Sequence, residues 1–466
     1  MKKKSIHITV LGAGISGLAA AYWLHGDGFE ITVLEAKSAP GGTMETVREN
    51  DCLIDYGPNS GLETTPLIGR MVRELGLKQE LIYANESGNR RYILKHNQLM
   101  ALPMGPAAFL KTKLFSTKAK LRLLAEPFIG KSADGYYQSV SEFVRRRLGR
   151  EFLDYAINPF VAGVFAGNPD SLSVQSAFPK LYRLETLYGG LIKGMIKGAK
   201  ERKASGETSK QTARMFSFRS GMQTLPVAIA GKLGEAVRYG CDVREIVPFN
   251  HRFKVRYLEN QHAMEMDTDI VLSAIPAYRA AAIFEPMDTT LSRHLNQIYY
   301  PPVKVLFLGF KKAAVKRELD GFGFLIPEKE NKTFLGAIWT STIFVGRAPE
   351  EVAAFTLFVG GARSPHLFDT DADTLFHTVL NEFKEIMNIE EAPLFVRERM
   401  WSKAIPQYTL GYIEHERYFE RFETEHPGIF LSGNFRGGIS VGDCVKNSES
   451  VYQRIVRKGS LISCQQ

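Results

Sequence analysis

Six residues near the start of the chain, Gly12-Ala13-Gly14-Ile15-Ser16-Gly17, have the types and spacing to hold a pyrophosphate. Gly12 permits a tight turn, Gly14 lets backbone approach the phosphates at a helix N-terminus, and Gly17 brings that helix against the preceding strand. A carboxylate completes the set. Glu35 lies 23 positions after Gly12, where such a group accepts hydrogen bonds from an adenosine ribose and repels a phosphate there. FAD or NAD therefore fits better than NADP, and the chemistry indicated is that of a bound redox dinucleotide. The elements that must position these residues are legible around them. An apolar strand from Ile6 precedes the glycines, an alanine-rich helix with Ala19, Ala20, Ala21 and Leu24 runs to His25, and Ile31-Thr32-Val33-Leu34-Glu35 forms a second strand.

Further glycine turns follow the same logic. Ala39-Pro40-Gly41-Gly42-Thr43 lets backbone reach a cofactor, and Asp55-Tyr56-Gly57-Pro58-Asn59-Ser60 reads as a loop entering a site. Near the end, Gly428-Ile429-Phe430-Leu431-Ser432-Gly433-Asn434 is a strand running into a glycine turn, and Val441-Gly442-Asp443 opens a helix. A helix N-terminus aimed at a flavin pyrimidine edge favours the reduced, anionic ring, so this tail favours FAD over NAD alone. Arg90-Arg91-Tyr92 opens a short strand through Leu94, where a cation can face an anionic ligand.

At 466 residues the chain is too long for one ordinary core, so two or three lobes are expected. No run of eighteen or more apolar residues appears, which excludes a confident membrane span and leaves monotopic attachment open. Fifty-nine Lys and Arg against fifty Asp and Glu give +9, a mild bias toward anionic lipid or anionic ligands. Cys52, Cys241, Cys444 and Cys464 show no close pairing and no metal-ligand spacing, so a reducing cytoplasmic compartment is expected and no metal site.

Leu102 to Gly149 reads as helical, with Phe109, Leu110, Leu114 and Phe115 beside Lys111, Lys113, Lys118 and Lys120. That mixture suits either a membrane-surface helix or a solvated face over a core. Asn158 to Gly167 reads as a packed turn or cavity wall, and Lys197 to Gln211 as a lobe boundary. Ile270 to Ala274 looks like a buried parallel strand returning to the first sheet. Val305 to Phe310, Leu335 to Trp339 and Phe355 to Gly360 suggest a separate β-rich lobe.

With these residues in place, the chain resembles the protoporphyrinogen oxidases, members of the FAD-containing amine oxidase superfamily, over nearly its whole length. The matches include the Gly12 to Glu35 unit, the Asp55 to Ser60 loop, Arg91-Tyr92-Ile93, Leu102-Pro103, Lys120-Leu121-Arg122, Glu126-Pro127-Phe128 and Gly163-Val164-Phe165-Ala166-Gly167. They continue through Phe178-Pro179, Pro406-Gln407-Tyr408, Gly433-Asn434 and Asp443-Cys444-Val445.

The resemblance implies an α/β and α+β architecture. A discontinuous Rossmann-like FAD-binding domain takes residues 1–85, 212–285 and 410–466. A β-rich substrate domain takes 86–95, 184–211 and 286–409, and an inserted helical, membrane-associating domain takes 96–183. It implies flavin-mediated oxidation of protoporphyrinogen IX by dioxygen, six electrons in all, with hydrogen peroxide released and no catalytic side chain. Coproporphyrinogen III is the nearest alternative substrate, and an amine or carotenoid the next. Arg91 is expected on a propionate, with Gly163, Phe322, Leu325 and Phe358 lining the substrate slot. Cofactor contacts are expected from Gly12, Gly14, Ile15, Ser16, Gly17, Glu35, Ala36, Gly41, Gly42, Thr43, Gly57, Pro58, Asn59, Ser60, Val243, Ala274, Trp401, Gly433, Asn434, Ser440, Val441 and Gly442. Implied partners are a porphyrinogen, dioxygen, a peripheral membrane surface on the cytoplasmic side and a homodimer, without nucleic acid. Two positions depart from the pattern. Ala39 stands where the family often has arginine, and Lys304 sits where amine oxidases place a lysine near the flavin, in a sequence that also reads as a solvated strand lysine.

Overall fold

Apolar runs too short for helices and bounded by glycine turns assemble into two sheets in a computed structural model that describes residues 6–85, 88, 90–132, 137–205 and 213–465, with the side chains of 199–205 and 459–465 left undescribed. The first sheet is parallel throughout. Its order is Val237–Arg238, Glu30–Leu34, His7–Leu11, Ile270–Ser273, Ile429–Leu431. Segments more than 250 positions apart thus become neighbours, with Ile8 opposite Ile270. Strands buried on both faces need no alternation, which is why these read as continuous apolar runs. The Ile15–Gly26 helix lies on the sheet through Leu18, Ala19, Ala20, Ala21 and Leu24, all fully buried. Its alanines leave room for the Val441–Gln465 helix beside it, which contributes Val445 and Ile455 to the same core.

The second sheet has seven strands in the order Phe395–Trp401, Val303–Lys311, Val352–Gly360, Phe334–Ile338, Gly321–Leu325, Arg90–Lys95, Gln98–Ala101. All neighbours are antiparallel except Gly321–Leu325 with Arg90–Lys95. Side chains alternate between its faces. One cross-strand row, Tyr92, Phe324, Ala337, Leu357 and Leu306, packs under the Ala372–Met387 helix in a core that includes Phe383. The next row, Ile93, Leu325, Gly336, Phe358 and Val305, faces the other way. On that side lie the Thr46–Glu49 and Cys52–Asp55 hairpin and the Asn158–Phe165 helix.

Asn158 to Gly167, read from its glycines as a turn or cavity wall, is instead a helix to Phe165 ended by left-handed Ala166. Pro159 sits in its first turn, where the missing N–H costs nothing, and burial of Val161, Ala162 and Phe165 outweighs the glycine penalty. Leu102 to Gly149 is a series of short helices, among them Pro106–Lys111, Thr117–Leu124 and Val140–Arg147. Leu114 and Phe115, grouped above with Phe109 and Leu110, are buried against Ile93 and Tyr155. The expected boundary at Lys197 to Gln211 begins inside the Leu191–Ser205 helix, and residues 206–212 lie outside the described residues.

A buried charge cluster holds these helices together. Arg147, with no exposed surface, pairs with Glu126 at 3.0 Å and Glu185 at 2.5 Å, while Arg146 takes Glu185 at 2.7 Å. Glu126 also accepts the N–H groups of Leu191 and Ile192 at 2.7 and 3.0 Å, closing a helix start. Removing Arg147 takes the cation from buried Glu126 and leaves Glu185 with Arg146 alone, so Arg147→Ala is expected to cost about 3–5 kcal/mol, read as a lower thermal midpoint and faster hydrogen exchange over residues 140–198. Burial raises the Glu185 pKa, but hydrogen bonds from Arg146 and Arg147 outweigh it and hold the carboxyl below its ordinary 4.5. A depressed acid contributes stability that is complete above the unfolded value and is lost as pH falls through the folded one. Acid melting of the wild type should therefore lose this region below about pH 4.5, and Arg147→Ala should flatten that dependence.

Candidate functional site

The glycines of the first turn divide their work. A Cβ on Gly17 would stand 2.2 Å from the Gly12 carbonyl oxygen, so the helix rests directly on the turn and tolerates no side chain there. Gly12 itself has φ +95 and donates its N–H to Leu34 O at 2.9 Å. A Cβ on Gly14 would meet no protein atom within 4 Å. Gly14 caps the Ile15–Gly26 helix, which has no side-chain cap, so N–H groups and open space coincide. Gly41 donates its N–H to Ala13 O at 2.8 Å, and a Cβ on Gly42 would approach the Gly14 Cα at 3.4 Å. The two glycine turns therefore form one cradle. Ala274 enters beneath it, donating its N–H to Leu11 O at 2.9 Å.

Glu35 is buried and its oxygens accept the N–H groups of Ala13 and Lys37 at 2.7 and 2.8 Å. Each oxygen keeps a lone pair for a ribose hydroxyl. Ala36 and Ala39 are exposed beside it. Where an arginine is absent at 39, Lys37 is the nearby cation, with Nζ 3.0 Å from Gly42 O and 5.6 Å from the Trp401 ring centroid. Sequence reading missed Lys37 because a surface lysine carries no spacing signal. Val243 stands at a register shift in the Cys241–Phe249 strand, where the ladder with Tyr257 slips before Glu245.

Asn59 donates to Asp55 O and Gly57 O at 3.2 and 3.0 Å, yet among the described residues its buried Oδ1 has no partner, and neither has the buried Ser273 Oγ. Gly57 is forced by packing, since a Cβ would lie 1.8 Å from Thr43 O. In the 433–442 loop, the N–H groups of Asn434, Phe435, Ser440, Val441 and Gly442 find no acceptor among the described residues. Unpaired donors at two helix starts, with unpaired acceptors between them, fit a dinucleotide carrying an anionic pyrophosphate and a polar ring.

Asp55, missed as an electrostatic element, forms a buried pair with Arg347 at 3.3 Å. Asp55 also accepts from Thr46 Oγ1 and Met222 N–H at 2.5 and 2.9 Å. Burial raises the Asp55 pKa and lowers that of Arg347. The pair lines a small cavity with Asn59, Ser60 and Phe322.

Arg91 comes from the strand beside Phe322. Its side chain is solvent-exposed, yet surrounding protein desolvates the charge and lowers its pKa, which together describe the wall of a concavity. Its guanidinium lies 5.7 Å from the Phe322 ring centroid and makes no hydrogen bond or ion pair among the described residues. Leu325 and Phe358 share the outward row with Gly336 between them, and only part of each is buried. A Cβ on Gly336 would stand 2.4 Å from Phe324 O and 3.2 Å from Leu325 Cδ2, so only glycine fits between these two apolar side chains. Gly163 closes over Leu325, where a Cβ would come within 2.4 Å of Leu325 Cδ2. Phe358 packs both with the hairpin residues Cys52, Ile54 and Tyr56 and with Ala162 and Ala166. Trp401, next along this face, donates its ring N–H to Tyr56 O at 3.0 Å.

Lys304 belongs to the opposite face. It pairs in register with Val359 and Met400, and its Nζ lies 3.2 Å from Glu398 Oε2 with 13% of the side chain exposed. It is neither a free solvated lysine nor on the hairpin side of the sheet.

Residues 15–455 match the family description for flavin-containing amine oxidoreductases. Protoporphyrinogen oxidase 2, chloroplastic/mitochondrial, of Arabidopsis thaliana is 34% identical over 94% of this chain and 91% of that protein. Coproporphyrinogen III oxidase of Bacillus subtilis is 28% identical over 95% of this chain and 96% of its own. In structure, the chain is similar to a protein of Exiguobacterium sp. 255-15 provisionally assigned as a protoporphyrinogen oxidase, with TM-score 0.79, 22% identity and coverage of 99% and 100%.

The open face of Gly14 separates folding from ligand binding. Gly14→Ala is expected to leave the thermal midpoint of the apoprotein within about 2 °C of wild type, because a surface methyl without contacts changes stability little. It should nevertheless lower bound flavin at least about tenfold, since the methyl occupies ligand space. Gly17→Val should destabilise the apoprotein as well. Circular dichroism melts and flavin absorbance after gel filtration check both.

Proposed function

Because the chain belongs to the flavin-containing amine oxidoreductase family and is an FAD-dependent oxidase, we propose that it oxidises protoporphyrinogen IX to protoporphyrin IX in two-electron steps, six electrons in all, each pair passing to one dioxygen that leaves as hydrogen peroxide. The observation that carries this reading is Phe322. It lies under the unpaired Arg91 guanidinium and also lines the cavity of Asn59 and Ser60. Substrate cation and cofactor loop therefore meet at one ring.

Bound FAD supplies the electron acceptor that no side chain can provide. The methylene bridge of a porphyrinogen is flanked by pyrroles that stabilise the cation formed there, so the protein's task is placement and dryness. Arg91 holds a propionate, and Leu325, Gly336 and Phe358 shape an apolar slot roofed by Gly163. Unpaired N–H groups at 434–442 favour negative charge on the cofactor edge. Lys304, held by Glu398 on the far face, argues against an amine substrate.

A second substrate, coproporphyrinogen III, is favoured by one observation. Arg363 has its pKa lowered to about 10 by burial, has no carboxylate within ion-pair distance among the described residues, and donates to Asn158 Oδ1 and Ile326 O at 2.7 and 3.3 Å. It sits one residue past Leu325 on the side away from Arg91, where a further propionate needs a cation.

The helical segment serves as the membrane-facing lobe in this reading. Met104, Leu110, Leu121, Leu124, Phe128 and Ile196 are each more than 60% exposed, near exposed Lys111, Lys113 and Lys118. No helix among the described residues is long and apolar enough to cross a membrane, so attachment is at the surface. Replacing Leu121, Leu124 and Phe128 by Ser should abolish flotation with anionic vesicles, and Lys111→Glu with Lys113→Glu should weaken it. Equal flotation of all proteins would reject the surface.

Anaerobic single-turnover reduction of the flavin tests the substrate. Arg91→Ala should weaken protoporphyrinogen binding by roughly 2–4 kcal/mol, because a desolvated carboxylate loses its partner, with Arg91→Lys recovering part. Faster reduction by coproporphyrinogen, lost in Arg363→Ala, would establish the second substrate. An unchanged Arg91→Ala protein with full FAD would reject the propionate contact.

A further inference from the structure

The 433–436 stretch presents donors because its four carbonyls are bonded to the protein, and two tyrosines hold two of them. Tyr408 Oη donates to Asn434 O at 2.7 Å and accepts the Gly438 N–H at 2.9 Å, so one buried hydroxyl spans the loop. Tyr412 Oη donates to Phe435 O at 2.5 Å. Asn447 Nδ2 donates to Arg436 O at 2.6 Å, and the Arg436 N–H closes onto Gly433 O at 3.1 Å. The carbonyls of Gly433, Asn434, Phe435 and Arg436 are all committed to the protein, while the N–H groups of Asn434 and Phe435 are not. Gly433, Gly437 and Gly438 have φ of +123, +70 and +132, a path that needs external anchors because local sequence does not enforce it.

We propose that Tyr408 is a positioning residue for the bound FAD, its hydroxyl aiming the 433–442 N–H groups at the cofactor's electron-rich edge. The proposal rests on the reading of this loop as a cofactor contact. Burial pushes the Tyr408 phenol far above its ordinary pKa, so the hydroxyl stays neutral and keeps both roles. Fixed donors at a site where charge accumulates stabilise the reduced form without reorganisation. The neighbouring residue extends the link. Gln407 Nε2 donates to Phe165 O at 2.8 Å, at the end of the helix that carries Gly163, and the Ser173 N–H donates to Tyr408 O at 2.8 Å. Cofactor edge and slot roof thus hang on consecutive side chains.

Tyr408→Phe keeps the ring between Phe165 and Tyr412, whose centroids lie 6.4 and 4.6 Å away, and removes only the hydroxyl. FAD affinity is measured by fluorescence titration of the apoprotein, and the midpoint potential by dye-coupled reduction of the reconstituted protein. The expected result is binding roughly tenfold weaker and a more negative potential. A folded variant with a lower melting temperature but wild-type affinity and potential would overturn the proposal, since Tyr408 would then serve only packing. If Tyr408→Phe does not fold, Asn447→Ala, which releases Arg436 O at a partly exposed position, must move both quantities the same way. Unchanged values there would overturn it equally. Wild-type apoprotein that binds FAD while Gly433→Val binds it just as well would instead sink the cofactor-loop reading, and the role of Tyr408 with it.

Discussion

The buried Asp55–Arg347 pair is the contact on which the site depends, because it crosses between the two halves that must meet. Asp55 ends the hairpin strand that leads into Gly57, Asn59 and Ser60, while Arg347 follows the strands that carry Phe322 and Ile338. Arg347 is fastened at several atoms, giving a hydrogen bond to Ser217 and accepting the Leu53 N–H at 2.9 Å through its carbonyl. A buried pair of this kind adds little net stability over an apolar substitute, yet losing one partner is costly. Its effect here is registration. Two lobes with separate cores are held so that the cofactor loop and the slot share Phe322.

Around that joint, parity does the sorting. Successive residues of a strand point to opposite faces, so Val303, Val305 and Phe358 face the hairpin while Lys304, Leu306 and Val359 face the Ala372–Met387 helix. A lysine one position along would lie on the hairpin side, among Val305 and Phe358, instead of against Glu398. The same alternation turns Tyr92 and Leu94 to one face, and Arg91 and Ile93 to the other, where Ile93 is buried under Leu114 and Phe115. Glycine works by absence across this face. Only Gly336 fits between Leu325 and Phe358, and Gly163 lets the covering helix come down on Leu325.

Much was legible from residues alone. The order Gly12, Gly14, Gly17 and Glu35 identified the nucleotide cradle because each position answers a separate local requirement: a positive φ, an open face, a close helix and a buried acid. Parallel strands buried on both faces leave continuous apolar runs, so the return of Ile270–Ser273 to the first sheet was also visible, whereas Ile429–Leu431 was legible as a strand but not as the fifth member of that sheet. The 158–165 helix was not, since two glycines in an apolar stretch favour a turn locally, and only burial against the sheet reverses that preference. The burial of Leu114 and Phe115 was left open for a related reason. Their spacing shows amphipathicity but not which side is covered.

The sequence by itself thus determined the kind of cofactor and the runs that build the two largest sheets, because these follow from local backbone and burial requirements repeated along the chain. Tertiary structure alone decided the partners of charged groups: Asp55 with Arg347, Arg147 with Glu126 and Glu185, Lys304 with Glu398, and Arg91 and Arg363 with no carboxylate within ion-pair distance among the described residues. It also decided that Tyr408 and Tyr412 restrain a loop some 25 residues further on. Pairing between distant residues depends on how the sheets stack and on the register of each strand, and neither leaves a periodic trace in sequence.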